Sequence, residues 1–330
     1  MKKFFRIFIL FILVLIVVPL GISTVYAENV EDDRLFLGGY AAGFSFNTRG
    51  AFVLGTCDVV TEDSVKSPSK NADLRAGDII LSIDGNDVNN ASDISNAIKD
   101  GDEKTVIVKR QNDKIIKNMF PAKDMTGEYK LGVFIREGIN GIGTISFIKG
   151  NKIAALGHPV TDENGNVADI TGGEMFNCKI TSVVKGIRGR AGELHGVFIK
   201  TEKIADINEN TVSGIYGTIS EKYDKNDLTP IEQGQAVMGN ASIYCTVDDG
   251  APQAYDISII KIDRPEREDR NLVIKITDER LLSITGGIVQ GMSGSPIVQN
   301  GKLVGAVTHV FINDPTRGFG ITINNMLNKL

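Results

Sequence analysis

The stretch Gly291-Met292-Ser293-Gly294-Ser295-Pro296-Ile297-Val298-Gln299-Asn300-Gly301-Lys302-Leu303-Val304-Gly305-Ala306-Val307-Thr308-His309-Val310 decides how the chain is read. Its first serine has a glycine two places before it and another directly after, so the backbone can fold tightly around the hydroxyl. The amides of Gly291 and Ser293 can then converge on one point, which is how main-chain donors hold an oxyanion. Pro296 opens an apolar strand, Asn300-Gly301 supplies a two-residue turn, and Leu303 to Val310 returns as the second arm of a β-hairpin. A Gly-x-Ser-Gly alone is common in turns; joined to the proline and the spaced hairpin, it reads as a nucleophile.

A serine hydroxyl needs a base to act. The chain has three histidines. His309 lies on the returning arm of the hairpin, and His195 sits in a turn-like setting, Ala191-Gly192-Glu193-Leu194-His195. His158 ends an apolar strand, Ala154-Ala155-Leu156-Gly157-His158-Pro159, and is the favoured base. A third group should be a carboxylate between 158 and 293 that holds the tautomer of the imidazole. Asp278 and Glu279 follow the apolar run Leu272–Thr277, and Asp256 and Asp263 remain open beside them.

Outward from this site, 330 residues are enough for about two domains. With 42% hydrophobic and 23% charged residues the chain is globular, and a net charge of −5 argues against a nucleic-acid partner. The first 27 residues hold Lys2, Lys3 and Arg6 and no acid, so the remainder is more acidic still. Those basic residues, the apolar run Ile7–Val18, the breakers Pro19 and Gly21, and Val25-Tyr26-Ala27 have the three parts of an export signal. A retained membrane anchor is the alternative, and either places the rest outside the cytoplasm. Three cysteines without CxxC spacing indicate neither a zinc knuckle nor a disulfide framework, and Cys57 and Cys245, in apolar runs, read as core. No His/Cys/Asp cluster has ligand spacing, so neither metal nor cofactor is expected.

Most of the chain after residue 30 reads as short Val/Ile-rich strands between Gly, Asn and Asp turns: Ile79–Ile83, Thr105–Lys109, Lys130–Phe134, Gly143–Ile148, Leu272–Ile276 and Leu303–Val310. Ser92–Lys99 alone has helical spacing, with Ser92 as its cap. The polar stretch Gln111–Tyr129 reads as a junction between two modules.

The first module resembles a PDZ domain. Ala72-Asp73-Leu74-Arg75-Ala76-Gly77-Asp78-Ile79-Ile80-Leu81-Ser82-Ile83-Asp84-Gly85 matches that family's Leu-x-x-Gly-Asp-x-Ile-x-x-Ile-Asp-Gly pattern, with Val88 following. The 92–99 helix falls where the groove helix should. Gly38, Gly39 and Tyr40 are the candidate glycine-rich loop for the carboxylate of a peptide or C-terminal tail.

The second module resembles chymotrypsin-like serine peptidases, in which the strand equivalent to Thr308, His309 and Val310 pairs with substrate backbone. More closely, Leu156–Asp162, Gly286–Pro296 and Thr308–Gly320 resemble the stage IV sporulation protein B (SpoIVB) peptidase family. The resemblance implies a mainly β chain: a leader at 1–27, a linker at 28–34, a PDZ-like domain at 35–112 and a double β-barrel peptidase at 113–330. It implies Ser293 as nucleophile, His158 as base, Asp278 as orienting carboxylate and the Gly291 and Ser293 amides as oxyanion hole. It further implies an enzyme exported into the space between the forespore membranes, cutting a membrane-associated partner and, between about Ala27 and Gly50, itself. The rivals are a non-catalytic PDZ scaffold and an envelope quality-control protease.

Overall fold

The computed structural model describes residues 34–111, 113–162, 165–263 and 269–330. The leader therefore lies outside the described residues, among which no helix is long and apolar enough to cross a membrane.

Two closed barrels of six antiparallel strands form the body. In the first, Ala41–Thr48, Ile139–Lys149, Lys152–Ala155, Gly214–Ile219, Glu193–Thr211 and Ile170–Val184 follow one another around the ring, and the last pairs back with Ala41–Thr48. In the second the ring runs Gly239–Cys245, Gln253–Ile262, Leu272–Ile276, Asp314–Thr322, Lys302–Phe311 and Pro296–Gln299. Closure removes the open edges that a sheet of this length would otherwise expose. Inward positions carry the large apolar residues: Phe44, Phe46, Ile145, Ile153 and Met175 in the first barrel, and Ile243, Ile257, Ile274, Ile297 and Val307 in the second. A third apolar cluster glues the barrels together, with Leu37, Phe147, Ala154 and Tyr216 meeting Leu303, Ala306, Ile321 and Met326.

The PDZ fold is an insertion into the first barrel. Its sheet runs Val133–Arg136, Ala51–Thr56, Ile79–Ile83, Lys104–Arg110, Asp113–Met119, and the helix Ala91–Ala97 covers a core of Val53, Ile80, Ile83, Ile94, Val106 and Val108. This corrects the boundaries at 35 and 112. Leu35–Leu37 and Ala41–Thr48 belong to the peptidase, because they pair with Ile139–Lys149 and Ile170–Val184. The supposed junction after Gln111 holds a PDZ strand, Asp113–Met119, paired in register with Lys104–Arg110. It is an edge strand carrying Asp113, Lys114, Lys117 and Asn118, and composition alone cannot tell such a strand from a linker. The helix starts one residue before its expected cap: Asn90 caps it, in a reciprocal box with Asp93. The Asp84-Gly85 and Asn300-Gly301 turns both adopt positive φ, as expected for two-residue hairpins.

Candidate active site

Ser293 sits in the loop that leads into the second barrel's Pro296–Gln299 strand, and this loop is sewn to the first barrel. Thr144 donates its N–H to Ser293 O at 2.9 Å and its hydroxyl to Gly291 O at 2.8 Å. Gly294 has φ +96°, and a Cβ there would lie 2.0 Å from Thr144 O and 2.6 Å from Leu156 N. Only glycine permits that approach. Among the described residues the N–H groups of Gly291 and Ser293 have no main-chain acceptor, the condition for holding an oxyanion.

His158 follows the Lys152–Ala155 strand through two left-handed residues, Leu156 (φ 65°) and Gly157 (φ 66°). Its Nδ1 lies 2.8 Å from Pro159 O, so Nδ1 carries the proton and Nε2 presents its lone pair. The ring packs against His309 with centroids 4.6 Å apart. Burial is the main force holding both imidazoles below the usual histidine range, aided at each by the Arg270 charge; His309 falls to about 4. Both are neutral at pH 7, the form a general base must have. Ser293 Oγ donates to Thr308 O at 2.6 Å, while Thr308 Oγ1 and His309 Nδ1 are buried without partners. The candidate nucleophile and the candidate base thus come from different barrels, and Thr308-His309 joins them: the serine rests on Thr308, the imidazole on His309. Thr308, His309 and Val310 lie where the Lys302–Phe311 strand slips register against its neighbour. His195, read as turn-borne, is on the Glu193–Thr211 strand and pairs with Glu193 on the surface.

Asp278, expected to orient the imidazole, is hydrogen-bonded to other partners in this structure. It is the N-cap of the helix Glu279–Thr285, accepting from Arg280 N at 2.9 Å and Leu281 N at 3.2 Å, with the Arg280 guanidinium at 2.7 Å and Asp256 N at 3.3 Å. The Arg280 bond first, then these amides, pull its carboxyl down to about 2. An aspartate after an apolar strand and before a helix finds unpaired amides nearer than any imidazole. Among the described residues, the hydrogen-bond partner of the His158 ring is the neighbouring Pro159 carbonyl.

Gly38, Gly39 and Tyr40 also lie elsewhere than expected. Gly38 N and Gly39 N donate to Ser146 O and Ile145 O, Tyr40 O accepts from Ile145 N, and Thr246 Oγ1 holds Gly39 O. They join the barrels and form no peptide loop. The PDZ groove is a cavity of about 440 Å³ between the 91–97 helix and the edge strand Val133–Arg136, walled by Val59, Val60, Ile94, Ile98, Tyr129 and Leu131. Cys57 also lines it and is half-buried, whereas Cys245 is buried in the second barrel. The carbonyls of Leu131 and Gly132 turn inward to Ser69 and Cys57, while their N–H groups have no main-chain acceptor. An apolar-Gly-apolar triplet ahead of a strand, Leu131-Gly132-Val133, was the available signal.

A nucleophile loop and a histidine from opposite walls of two six-stranded barrels, with free amides beside the hydroxyl, define a serine peptidase. The SpoIVB peptidase S55 family model matches residues 127–327, and a PDZ domain model matches 59–110. The chain belongs to that peptidase family. No curated protein matches it. Among solved structures it is similar to the Rv3671c protease of M. tuberculosis. The inactive form of its Ser343Ala mutant is 15% identical, with TM-score 0.33, over 57% of this chain and 79% of that one. A second inactive form of the Rv3671c protease is 14% identical, with TM-score 0.33, over 58% and 83%. The active form is 15% identical, with TM-score 0.31, over 59% and 74%.

Proposed function

We propose that this peptidase is an exported endopeptidase of a sporulation signalling pathway that cuts a membrane-associated partner and itself, with Ser293 as nucleophile and His158 as base. The observation that carries the site assignment is the mouth between the barrels, where Ser293 and the unengaged Gly291 and Ser293 amides stand across from a neutral imidazole. In the reaction Ser293 Oγ leaves Thr308 O and turns to His158 Nε2. As Oγ attacks the scissile carbonyl, Nε2 takes its proton and the two amides hold the oxyanion. The imidazolium then protonates the leaving amine, and water repeats the sequence to free the acid. The substrate backbone lies along Thr308, His309 and Val310.

The PDZ groove, with its free amides and apolar walls, suits a C-terminal tail or an extended segment added to the Val133–Arg136 edge. Self-processing belongs ahead of Arg34: residues 35–48 form strands whose loss would open the first barrel. Purified protein offered an unfolded general substrate should make one or few cuts. Broad degradation would favour envelope quality control. Ser293→Ala and His158→Ala should abolish cutting, and a Ser293→Ala chain that still shortened itself in purified form would remove self-cleavage. A wild-type protein that neither cuts nor is labelled at Ser293 by a fluorophosphonate would be a scaffold.

A further inference from the structure

Two hairpin tips, one from each barrel, stand side by side. In the first barrel the Ile170–Val184 and Glu193–Thr211 strands are joined by Lys185-Gly186-Ile187-Arg188-Gly189-Arg190-Ala191-Gly192. In the second, Lys302–Phe311 turns into Asp314–Thr322 through Ile312 and Asn313. The first tip is closed by Ile187 N–H donating to Arg190 O at 3.0 Å and Arg190 N–H donating to Ile187 O at 2.9 Å, with Gly189 at φ +87°. Gly189 N–H donates to Ile312 O at 2.8 Å and so ties one tip to the other. Behind them, Gly186 N–H donates to Thr285 O at 2.8 Å and Gln290 N–H to Gly192 O at 2.8 Å. A Cβ on Gly286 would lie 2.3 Å from Gly186 O, so the first hairpin is pressed onto the second barrel. The pair is one fixed feature.

Each tip presents an isoleucine to water: Ile187 is 53% exposed and Ile312 50%. Residues 184–192 hold three cations, Lys185, Arg188 and Arg190, and no acid, on a chain whose net charge is −5. All three cations are exposed, and among the described residues none is in an ion pair. Single exposed apolar residues are ordinary; two on adjoining turns beside unpaired cations mark a contact surface. The shape selects the partner. A projecting side chain can enter a protein only where a matching pocket waits, whereas the headgroup–acyl boundary of a bilayer accepts it without one. Anionic headgroups also supply the charge that the lysine and arginines lack. An acidic protein segment would satisfy the cations and leave the isoleucines in water.

We propose that the paired tips are a docking site for an anionic membrane surface, with Ile187 and Ile312 entering the interface and Lys185, Arg188 and Arg190 binding the headgroups. The contact also sets where the peptidase works. Ile312 is four residues beyond Thr308, whose carbonyl holds Ser293 Oγ, which is ~13 Å of extended strand. A docked molecule therefore holds its mouth close to the bilayer, within reach of the juxtamembrane segment of an anchored partner. That consequence rests on the function proposed above; the docking itself does not.

The chain contains no tryptophan, so one introduced indole reports on one place. The test uses the full Ser293→Ala chain, which is spared any self-cutting, carrying Ile187→Trp or Ile312→Trp. Vesicles of phosphatidylcholine alone, or mixed with phosphatidylglycerol, are added with and without brominated acyl chains. On the anionic vesicles both probes should shift to shorter wavelength and be quenched by bromine. On phosphatidylcholine they should stay in water, even where the leader tethers the chain. Neutralising Lys185, Arg188 and Arg190 to Gln together should lower the docked-to-free ratio about 100-fold, about fivefold for each charge removed. Raising salt to about 1 M, where the screening length is ~3 Å, should also release the tips. Phe120→Trp, a probe on the PDZ insertion at a residue 65% exposed, should not respond. A probe that stays in water on anionic vesicles at either tip overturns the inference. So does an equal response at residue 120, or one on phosphatidylcholine alone. A response to polyglutamate without lipid, or to rising protein concentration alone, assigns the tips to an acidic protein or to a second copy and also overturns it. If the tips dock and the wild-type chain cuts nothing, the proposed function falls and the membrane contact stands; if the wild type cuts while the tips stay in water, only the contact falls.

Discussion

Burial holds both imidazoles at the mouth below the ordinary histidine range, His309 down to about 4. The unfolded chain takes up protons near the ordinary histidine value of about 6.5, while the folded chain resists until about 4 at His309. Stability should therefore fall as pH drops from about 6.5 toward 4, because the unfolded state binds the proton first. Replacing His309 with Phe should flatten the melting temperature over that window, measured by calorimetry at several pH values. The acid limb of kcat/KM, set by His158, should likewise lie below pH 6.5. Asp278 offers a sharper contrast. As a helix cap, its change to Ala should cost about 1–2 kcal/mol of stability, and its change to Asn, which still accepts from the amides, much less. Neither should alter kcat by more than the loss of folded protein explains. An orienting carboxylate changed to Asn would instead lower kcat about 10⁴-fold, so stopped assays on Asp278→Asn separate the two roles. The residue type was right for either role; which partner lay nearest is a matter of three-dimensional distance.

Local elements were legible where the pattern was strict. Ile79–Ile83 and Leu272–Ile276 form strands over the Val/Ile-rich runs that indicated them, and both two-residue turns fall where Asp-Gly and Asn-Gly demand positive φ. The peptide groove was misplaced because Gly38-Gly39 looks like a carboxylate loop only while its amides are unassigned. Pairing with Ser146 and Ile145 in the neighbouring strand removes them from reach of any ligand. The true groove draws its walls from 57–60, 91–98 and 129–135, three segments far apart in the chain. Val60 is 57% exposed on its rim. Val60→Asp should weaken binding of an apolar-ended peptide about tenfold or more by fluorescence anisotropy while changing stability by no more than about 0.5 kcal/mol.

Across the molecule, the insertion of the PDZ fold is the organising fact. Phe46 and Ile139 are paired neighbours on the two strands that flank it, so the chain leaves the first barrel and returns at almost the same place. Replacing residues 49–138 with a short hairpin turn should leave a folded peptidase body, and 49–137 alone should fold around its own core; circular dichroism and cleavage of a short peptide test both. The barrel–barrel cluster carries the opposite expectation. Phe147→Ala should cost about 3–5 kcal/mol and reduce activity beyond the fraction unfolded, since the catalytic mouth exists only while the barrels stay docked. Short Val/Ile-rich runs, the Asp-Gly and Asn-Gly turns, the PDZ pattern and the Gly-x-Ser-Gly-x-Pro hairpin were enough to indicate a mainly β serine peptidase with a PDZ module, and to single out a candidate nucleophile and a candidate base. These are properties of neighbours along the chain, where backbone sterics and side-chain alternation act over a few residues. The edges of the PDZ insertion, the location of its groove and the group behind the imidazole depended on strand closure across more than a hundred residues. There a glycine's amide or an aspartate's carboxylate bonds whichever partner the folded barrels bring within 3 Å.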